Sequence, residues 1–246
     1  MIMTKIEDFK INIFADGADL KSIQKLNNIT YISGFTTNPS LMRKAGILDY
    51  KKFAHEVLKI IKNKSISFEI FSDELDEMES QAREIASWGE NIYVKVPITN
   101  SKGLKTSNII KKLSNDKIKC NVTALLTYDQ VKEVYEVVNP ETSIIISIFA
   151  GRIADTGLDP LPIMRDSINL CKPKKKIEIL WASTREVLNV VQANNIGCHI
   201  ITVPHSILEK FAGIGKNLEK LSLETVKGFL SDAQKSNFKI EIKKDK

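Results

Sequence analysis

The stretch NIYVKVPIT, residues 91–99, decides how the rest of the chain is read. Ile92, Val94 and Val96 alternate with Tyr93 and Lys95, the period-2 pattern of a β-strand. Lys95 therefore points away from the aliphatic trio, and Pro97, which has no N–H for a ladder, ends the pairing. An ordinary lysine amine is neutral in only roughly 0.04% of molecules at pH 7. Burial lowers a lysine pKa and turns the amine into a nucleophile that can form a Schiff base with a ketone. The segment alone leaves two readings open: a strand-end lysine reaching solvent, or that nucleophile. The residues at the ends of the other strands choose between them.

Short apolar runs of this kind recur eight times, at 11–16, 31–36, 66–71, 91–96, 118–123, 142–149, 177–182 and 198–203. Helical periodicity follows each. The clearest cases are 74–87, 128–138 with Val131, Val134, Tyr135 and Val138 on one stripe, and 186–193. Strands alternating with helices imply a parallel sheet. Eight such units in 246 residues predict an α/β chain closed into one (β/α)₈ TIM barrel. The rival is a doubly wound open sheet, but no Gly-rich turn of the GxGxxG kind follows the first strand. A single domain is expected over 1–246, with the barrel at about 10–215 and an extra C-terminal helix and tail at about 220–246. The helix is placed at 221–234, and the tail FKIEIKKDK is expected to fray or to pack on a neighbouring subunit.

Composition narrows the function classes. At 43% hydrophobic the chain can bury a sizeable core, and seven prolines with no Gly/Ser linker argue against a domain boundary. The net charge of +6 is spread along the whole chain, with no aromatic-interleaved basic stripe, so nucleic acid is not an expected partner. No apolar run approaches 18 residues, and MIMTKIEDFKINIF lacks a signal-peptide core, so neither membrane nor export is expected. Cys120, Cys171 and Cys198 are odd in number and far apart, which fits a reducing cytoplasm. His55, His199 and His205 form no HxxxH or HExxH pattern, so no metal is expected. KPKKK (172–176) precedes the seventh strand and reads as a solvated loop on the face away from a barrel's active site. GIGK (213–216) lacks the P-loop spacing.

Catalytic groups in such barrels cluster at strand C-termini, on the inward parity. Here that parity carries Asp16 after Phe14, Thr36 with Thr37 and Asn38, Ser67 and Glu69, Lys95, Asn121 and Thr123, Ser147 and Phe149, and Ser183. Taken singly, Asn, Thr and Ser cap helices, and Asp16 or Glu69 can simply salt-bridge Lys95. Together they put one lysine between two carboxylates at one end of one barrel, enough for Schiff-base chemistry with proton transfer. Ser183, Thr184 and Arg185 are expected to open the helix after the seventh strand, where backbone N–H groups favour an anion such as phosphate. Arg152 adds a second bidentate donor.

The set Asp16, TTNPSL (36–41), Glu69, VKVPIT (94–99), NVTALLT (121–127), SIFAGRIAD (147–155) and ASTR (182–185) resembles the transaldolases. It is most similar to the short bacterial subfamily that also contains fructose-6-phosphate aldolase. The match runs in order to TVPHSIL (202–208), so it covers most of the chain. The resemblance implies a cofactor-free transferase acting on sugar phosphates; it permits several assemblies, and the extra C-terminal helix suggests a homo-oligomer. Lys95 would form the Schiff base with a ketose phosphate and Asp16 would take the hydroxyl proton as the C–C bond breaks. Glu69 and Thr123 would hold the catalytic water, and Asn38, Asn121 and Ser147 would bind donor hydroxyls beside Thr36 and Phe149. Arg152, Ser183 and Arg185 would hold the phosphate.

The lyase branch, which releases free dihydroxyacetone, resembles a pattern with Gln at the Glu69 position and Tyr at the Phe149 position; Glu and Phe here favour the transferase. Lyase activity, or a transferase acting on a specialised sugar, is the alternative. Four departures from the family pattern stand out. Gly17 replaces a usual Ser or Thr, Glu186 a common Asn, and SIF the usual SPF, while Trp181, on the parity of Ser183, is expected to narrow the pocket.

Overall fold

The structure, a computed structural model, describes residues 5–236 and 238–240. Eight strands close into a parallel barrel in chain order: β1 (Asn12–Asp16), β2 (Ile32–Thr36), β3 (Ser65–Glu69), β4 (Ile92–Pro97), β5 (Cys120–Leu125), β6 (Ile144–Ile148), β7 (Ile177–Trp181) and β8 (Ile200–Pro204). β8 pairs back onto β1 from Asn12↔Ile200 to Asp16↔Pro204, which closes the ring. Eleven helices connect or follow them among the described residues: α1 (Leu20–Asn27), α2 (Pro39–Lys44), α3 (Tyr50–Ile60), α4 (Leu75–Ala86), α5 (Ser107–Asn115), α6 (Tyr128–Val137), α7 (Ala150–Asp155), α8 (Leu161–Cys171), α9 (Val187–Asn195), α10 (His205–Leu208) and α11 (Leu218–Lys235). The chain is a (β/α)₈ TIM barrel with an extra C-terminal helix.

Strand alternation sorts the side chains into two cores. The outward parity, including Ile13, Phe68, Val94, Val122, Ile146, Ile179 and Val203, joins the inner faces of the helices in one continuous cluster. The inward parity is mostly polar towards the C-terminal ends. Below that lies a small apolar plug of Phe14, Ile145, Leu180, Ala182 and Ile200, flanked by Tyr93 and Phe149. Filling a barrel's interior with side chains makes it a floor rather than a pore. Gly34 belongs to this plug: a Cβ there would lie 2.6 Å from the Phe14 ring. The β1–β2 register shifts between Ile13 and Phe14, where Ser33 is the extra residue that lets Phe14 face Gly34.

The strand bounds differ from the expected ones by at most two residues. β5 begins at Cys120 and runs on to Leu125, because Ala124 takes a left-handed φ of 64° and the register with β6 shifts there. α11 starts at Leu218, ahead of the expected 221, because the Asn217 side chain accepts the Lys220 N–H and caps the helix early. The basic run before β7 is tied into the fold: Lys174 donates to the Tyr135 carbonyl and Lys176 to that of Glu141. Lys216 of the GIGK segment pairs with Glu224 on α11. Of the C-terminal tail, Phe238 and Ile240 are exposed, and residues 241–246, like 1–4, lie outside the described residues. Among the described residues no helix is long and apolar enough to cross a membrane.

Candidate active site

The barrel brings eleven of the twelve expected site residues to the wall of one cavity of about 170 Å³: Asp16, Thr36, Asn38, Lys95, Asn121, Thr123, Ser147, Phe149, Arg152, Ser183 and Arg185. The twelfth, Glu69, joins them through Lys95, whose Nζ lies 2.9 Å from its Oε2. Register explains the meeting. Glu69 lies beside Lys95 across β3 and β4, and Lys95 lies beside Asn121 across β4 and β5, all on the inward parity.

Lys95 is 7% exposed, so it is not a lysine reaching solvent. Its Nζ also donates to the Thr37 carbonyl at 3.0 Å, which holds the amine at the cavity wall. Asp16 accepts from the Thr36 hydroxyl at 2.8 Å, and Thr36 Oγ1 is also bonded to Thr202 Oγ1. An ionised carboxylate only accepts, so Thr36 donates to Asp16 and must take its own hydrogen bond from Thr202. Burial pushes the Asp16 pKa above the ordinary carboxylate value. Lys95 and the Thr36 hydrogen bond pull against that, and the Glu69 charge adds to it.

Asn121 is fully buried and its orientation is set at both ends. Its Nδ2 donates to Ser67 Oγ at 3.0 Å, and its Oδ1 accepts from Ser147 Oγ at 2.6 Å. Ser147 is thereby committed as donor to Asn121, which leaves its oxygen free to accept from a molecule in the cavity. Asn38 does double service: it lines the cavity and caps α2, its Oδ1 accepting the Leu41 N–H at 3.0 Å. Thr37 and Thr123 carry buried hydroxyls with no hydrogen-bond partner among the described residues, and Thr123 lines the cavity.

The cationic end of the cavity differs from the expected arrangement in two ways. Ser183, Thr184 and Arg185 do not open a helix: α9 begins at Val187, and the Arg185 and Glu186 N–H groups are taken by the Asn189 side chain. The start of α9 therefore leaves neither of these two N–H groups free for an anion. Trp181 does not narrow the pocket either. It is buried in the outer cluster between sheet and helices. The shared parity with Ser183 fails because Ser183 has a φ of 64°, which reverses the alternation and turns it into the cavity. The same kink presses the Ser183 carbonyl against α7, where a Cβ on Gly151 would lie 1.6 Å from it. Arg152 lies over the Phe149 ring, its guanidinium carbon 5.2 Å from the ring centroid. Arg185 is paired with Asp155.

Thr202 belongs to the site and was not singled out, while Thr184 and Ser67, placed by their strands but given no role of their own, act as its supports. Thr202 lines the cavity, Thr184 donates to the Thr202 carbonyl at 2.8 Å, and Ser67 steadies Asn121. For Thr202 a signal existed: β8 alternates Ile200, Thr202, Pro204 against Ile201 and Val203.

Comparison with known proteins places the chain in a family. The family model described as Transaldolase/Fructose-6-phosphate aldolase matches residues 13–246. A "Probable transaldolase" of Nitrosopumilus maritimus (strain SCM1) is 36% identical over 231 residues, covering 92% of this chain and 96% of that protein. One from Thermoanaerobacter sp. (strain X514) is 34% identical over 235 residues, covering 95% and 98%. Among solved structures, a putative lyase/mutase from Burkholderia cenocepacia J2315 shares the fold, with a TM-score of 0.55 at 8% identity over 93% of this chain and 84% of that one. On the extent of these matches, the chain belongs to the transaldolase/fructose-6-phosphate aldolase family.

Proposed function

We propose that this chain is a transaldolase, moving a dihydroxyacetone unit from a ketose phosphate (sedoheptulose 7-phosphate or fructose 6-phosphate) to an aldose phosphate. The observation that carries the reading is the buried Lys95 amine, bonded to Glu69 in a cavity that also holds Asp16. The amine attacks the ketose C2, and loss of water leaves an iminium ion on Lys95. Asp16 takes the proton of the C4 hydroxyl, the C3–C4 bond breaks into the iminium, and the aldose phosphate leaves. The remaining enamine attacks the aldehyde of an acceptor, Asp16 returns its proton, and water releases the new ketose. Glu69 and Thr123 hold and activate that water, a role supported by the unpartnered Thr123 hydroxyl. Asn38, Asn121 and Ser147 bind donor hydroxyls; Arg152, Ser183 and Arg185 bind the phosphate.

Phe149 supports the transferase over the lyase. Its ring offers no hydroxyl to protonate the enamine, so the intermediate waits for an acceptor. The chemistry belongs to the pentose phosphate pathway. Three free, buried cysteines support a reducing cytoplasmic setting. An unpartnered α11 supports a homo-oligomer.

Glyceraldehyde 3-phosphate released from fructose 6-phosphate, measured with and without erythrose 4-phosphate, tests the reading. Release that depends on erythrose 4-phosphate is expected, and release without an acceptor would make the protein a lyase. Sodium borohydride added with fructose 6-phosphate should fix an adduct on Lys95 and not on a Lys95→Ala variant. No adduct at saturating substrate would remove the Schiff base.

A further inference from the structure

Asp155, the last residue of α7, hydrogen-bonds Arg185 among the groups assigned so far, and its charge also reaches Arg152. The contact has a particular form. Arg185 Nε donates to Asp155 Oδ1 at 3.1 Å and to Oδ2 at 3.2 Å, and Nη2 donates to Oδ2. The carboxylate thus occupies the side edge of the guanidinium. A guanidinium is a rigid fork of five N–H donors, so this leaves both Nη1 hydrogens and one on Nη2, the end edge, for another acceptor. Arg185 lines the cavity. Its stem lies against α7 where Gly151 is bare; a Cβ there would come 3.3 Å from Arg185 Cγ. One short helix therefore supplies Arg152, the flat surface under Arg185 and the carboxylate that grips it.

We propose that Asp155 is a positioning residue that aims the free edge of Arg185 into the cavity and so sets the preference for phosphorylated over unphosphorylated ketoses. The inference rests on the phosphate role given above to Arg185. Two opposed effects make its sign informative. A bare counterion near a phosphate site repels the dianion, so its removal would tighten substrate binding. A positioning group gives up some attraction to hold a bidentate geometry, so its removal weakens binding.

Asp155 and Arg185 are both about half exposed, so an Asp155→Ala variant is expected to fold. The test compares KM and kcat for fructose 6-phosphate and for fructose in the wild type, Asp155→Ala and Asp155→Glu, with inorganic phosphate as a competitive inhibitor. In Asp155→Ala the KM for fructose 6-phosphate should rise about tenfold, equivalent to about 1.4 kcal/mol. The phosphate inhibition constant should rise with it, kcat should hold, and the preference for the phosphorylated sugar should fall. Asp155→Glu, which keeps the carboxylate, should recover part of the loss. An unchanged or lower KM in Asp155→Ala overturns the inference while leaving the phosphate site intact. A wild type that does not prefer fructose 6-phosphate to fructose overturns the phosphate site and this inference together.

Discussion

Asp16 is the residue on which stability and chemistry conflict. Its carboxyl is pushed above the ordinary range chiefly by burial, so ionising it costs the folded state free energy. A group whose folded pKa is raised contributes its stability below the unfolded value, about 3.9 for Asp, and loses it as pH rises through the folded value. Wherever it is ionised, Asp16 is therefore a burden that an amide would not carry. Asp16→Asn should melt at or above the wild-type temperature at pH 7, and that margin should shrink as the pH falls towards about 3. The same variant should lose about 10²–10⁴-fold in kcat, since the amide cannot take the hydroxyl proton. In the wild type, the acid limb of kcat/KM should lie above the normal carboxylate range. Thermal melts across pH and a pH–rate profile check these together; a clear drop in melting temperature at pH 7 would show that Asp16 is held mainly by its attractive partners.

At the level of elements, the decisive contact lies between α7 and the segment after β7. Gly151 is not replaceable there, because a Cβ would sit 1.6 Å from the Ser183 carbonyl oxygen, which is backbone and cannot rotate away. Gly151→Ala must push α7 off the kink at Ser183, at about 1–3 kcal/mol for a forced overpacking. Melting should fall by roughly 2–12 °C for a chain of this size. The KM for a phosphorylated ketose should rise as Arg152 and Ser183 separate. A variant with unaltered melting and KM would mean that the two segments part freely. This junction also marks where sequence reasoning loses its grip. Period-2 alternation locates all eight strands and the inward parity of Asp16, Glu69, Lys95 and Asn121, because burial on opposite faces writes that pattern directly. It fails at Ser183, whose positive φ breaks the alternation, and so misassigns Trp181 to the pocket. It also fails to foresee the Asn189 cap, which moves the start of α9 past Arg185. The aim of Arg185 onto Asp155, thirty positions away, carries no local signature at all.

For the whole molecule, the open question is what α11 packs against. It is 18 residues long and buries none of them. Leu218 is 77% exposed, Phe229 70%, and Val226 and Leu230 59% each. At 100° per residue Leu218, Val226, Phe229, Leu230 and Ala233 fall within one 120° sector, while Lys220, Glu224, Lys227 and Ser231 occupy the opposite side. Helices gain most of their stability from packing such a face, and contiguous exposed apolar patches mark interaction sites. The barrel has a matching deficit. An apolar gap between α1 and α2, beside Asp16, is lined by Ala18, Ile23, Leu26, Phe35 and Leu41 and is not covered by α11 of the same chain. A helix of one copy seated in the gap of the next satisfies both surfaces, and it makes a head-to-tail contact that closes into a ring when the rotation permits. Light scattering or analytical ultracentrifugation should therefore find the wild type as an oligomer. Phe229→Asp with Leu230→Lys should drive it towards monomers, with the barrel's circular dichroism retained. Activity should fall with assembly, because the gap adjoins Asp16 and its loss of cover admits water to the carboxylate on which the proposed proton transfer rests. A wild type that stays monomeric at every concentration would refute the arrangement, and an oligomer indifferent to both substitutions would place its interface elsewhere on the barrel.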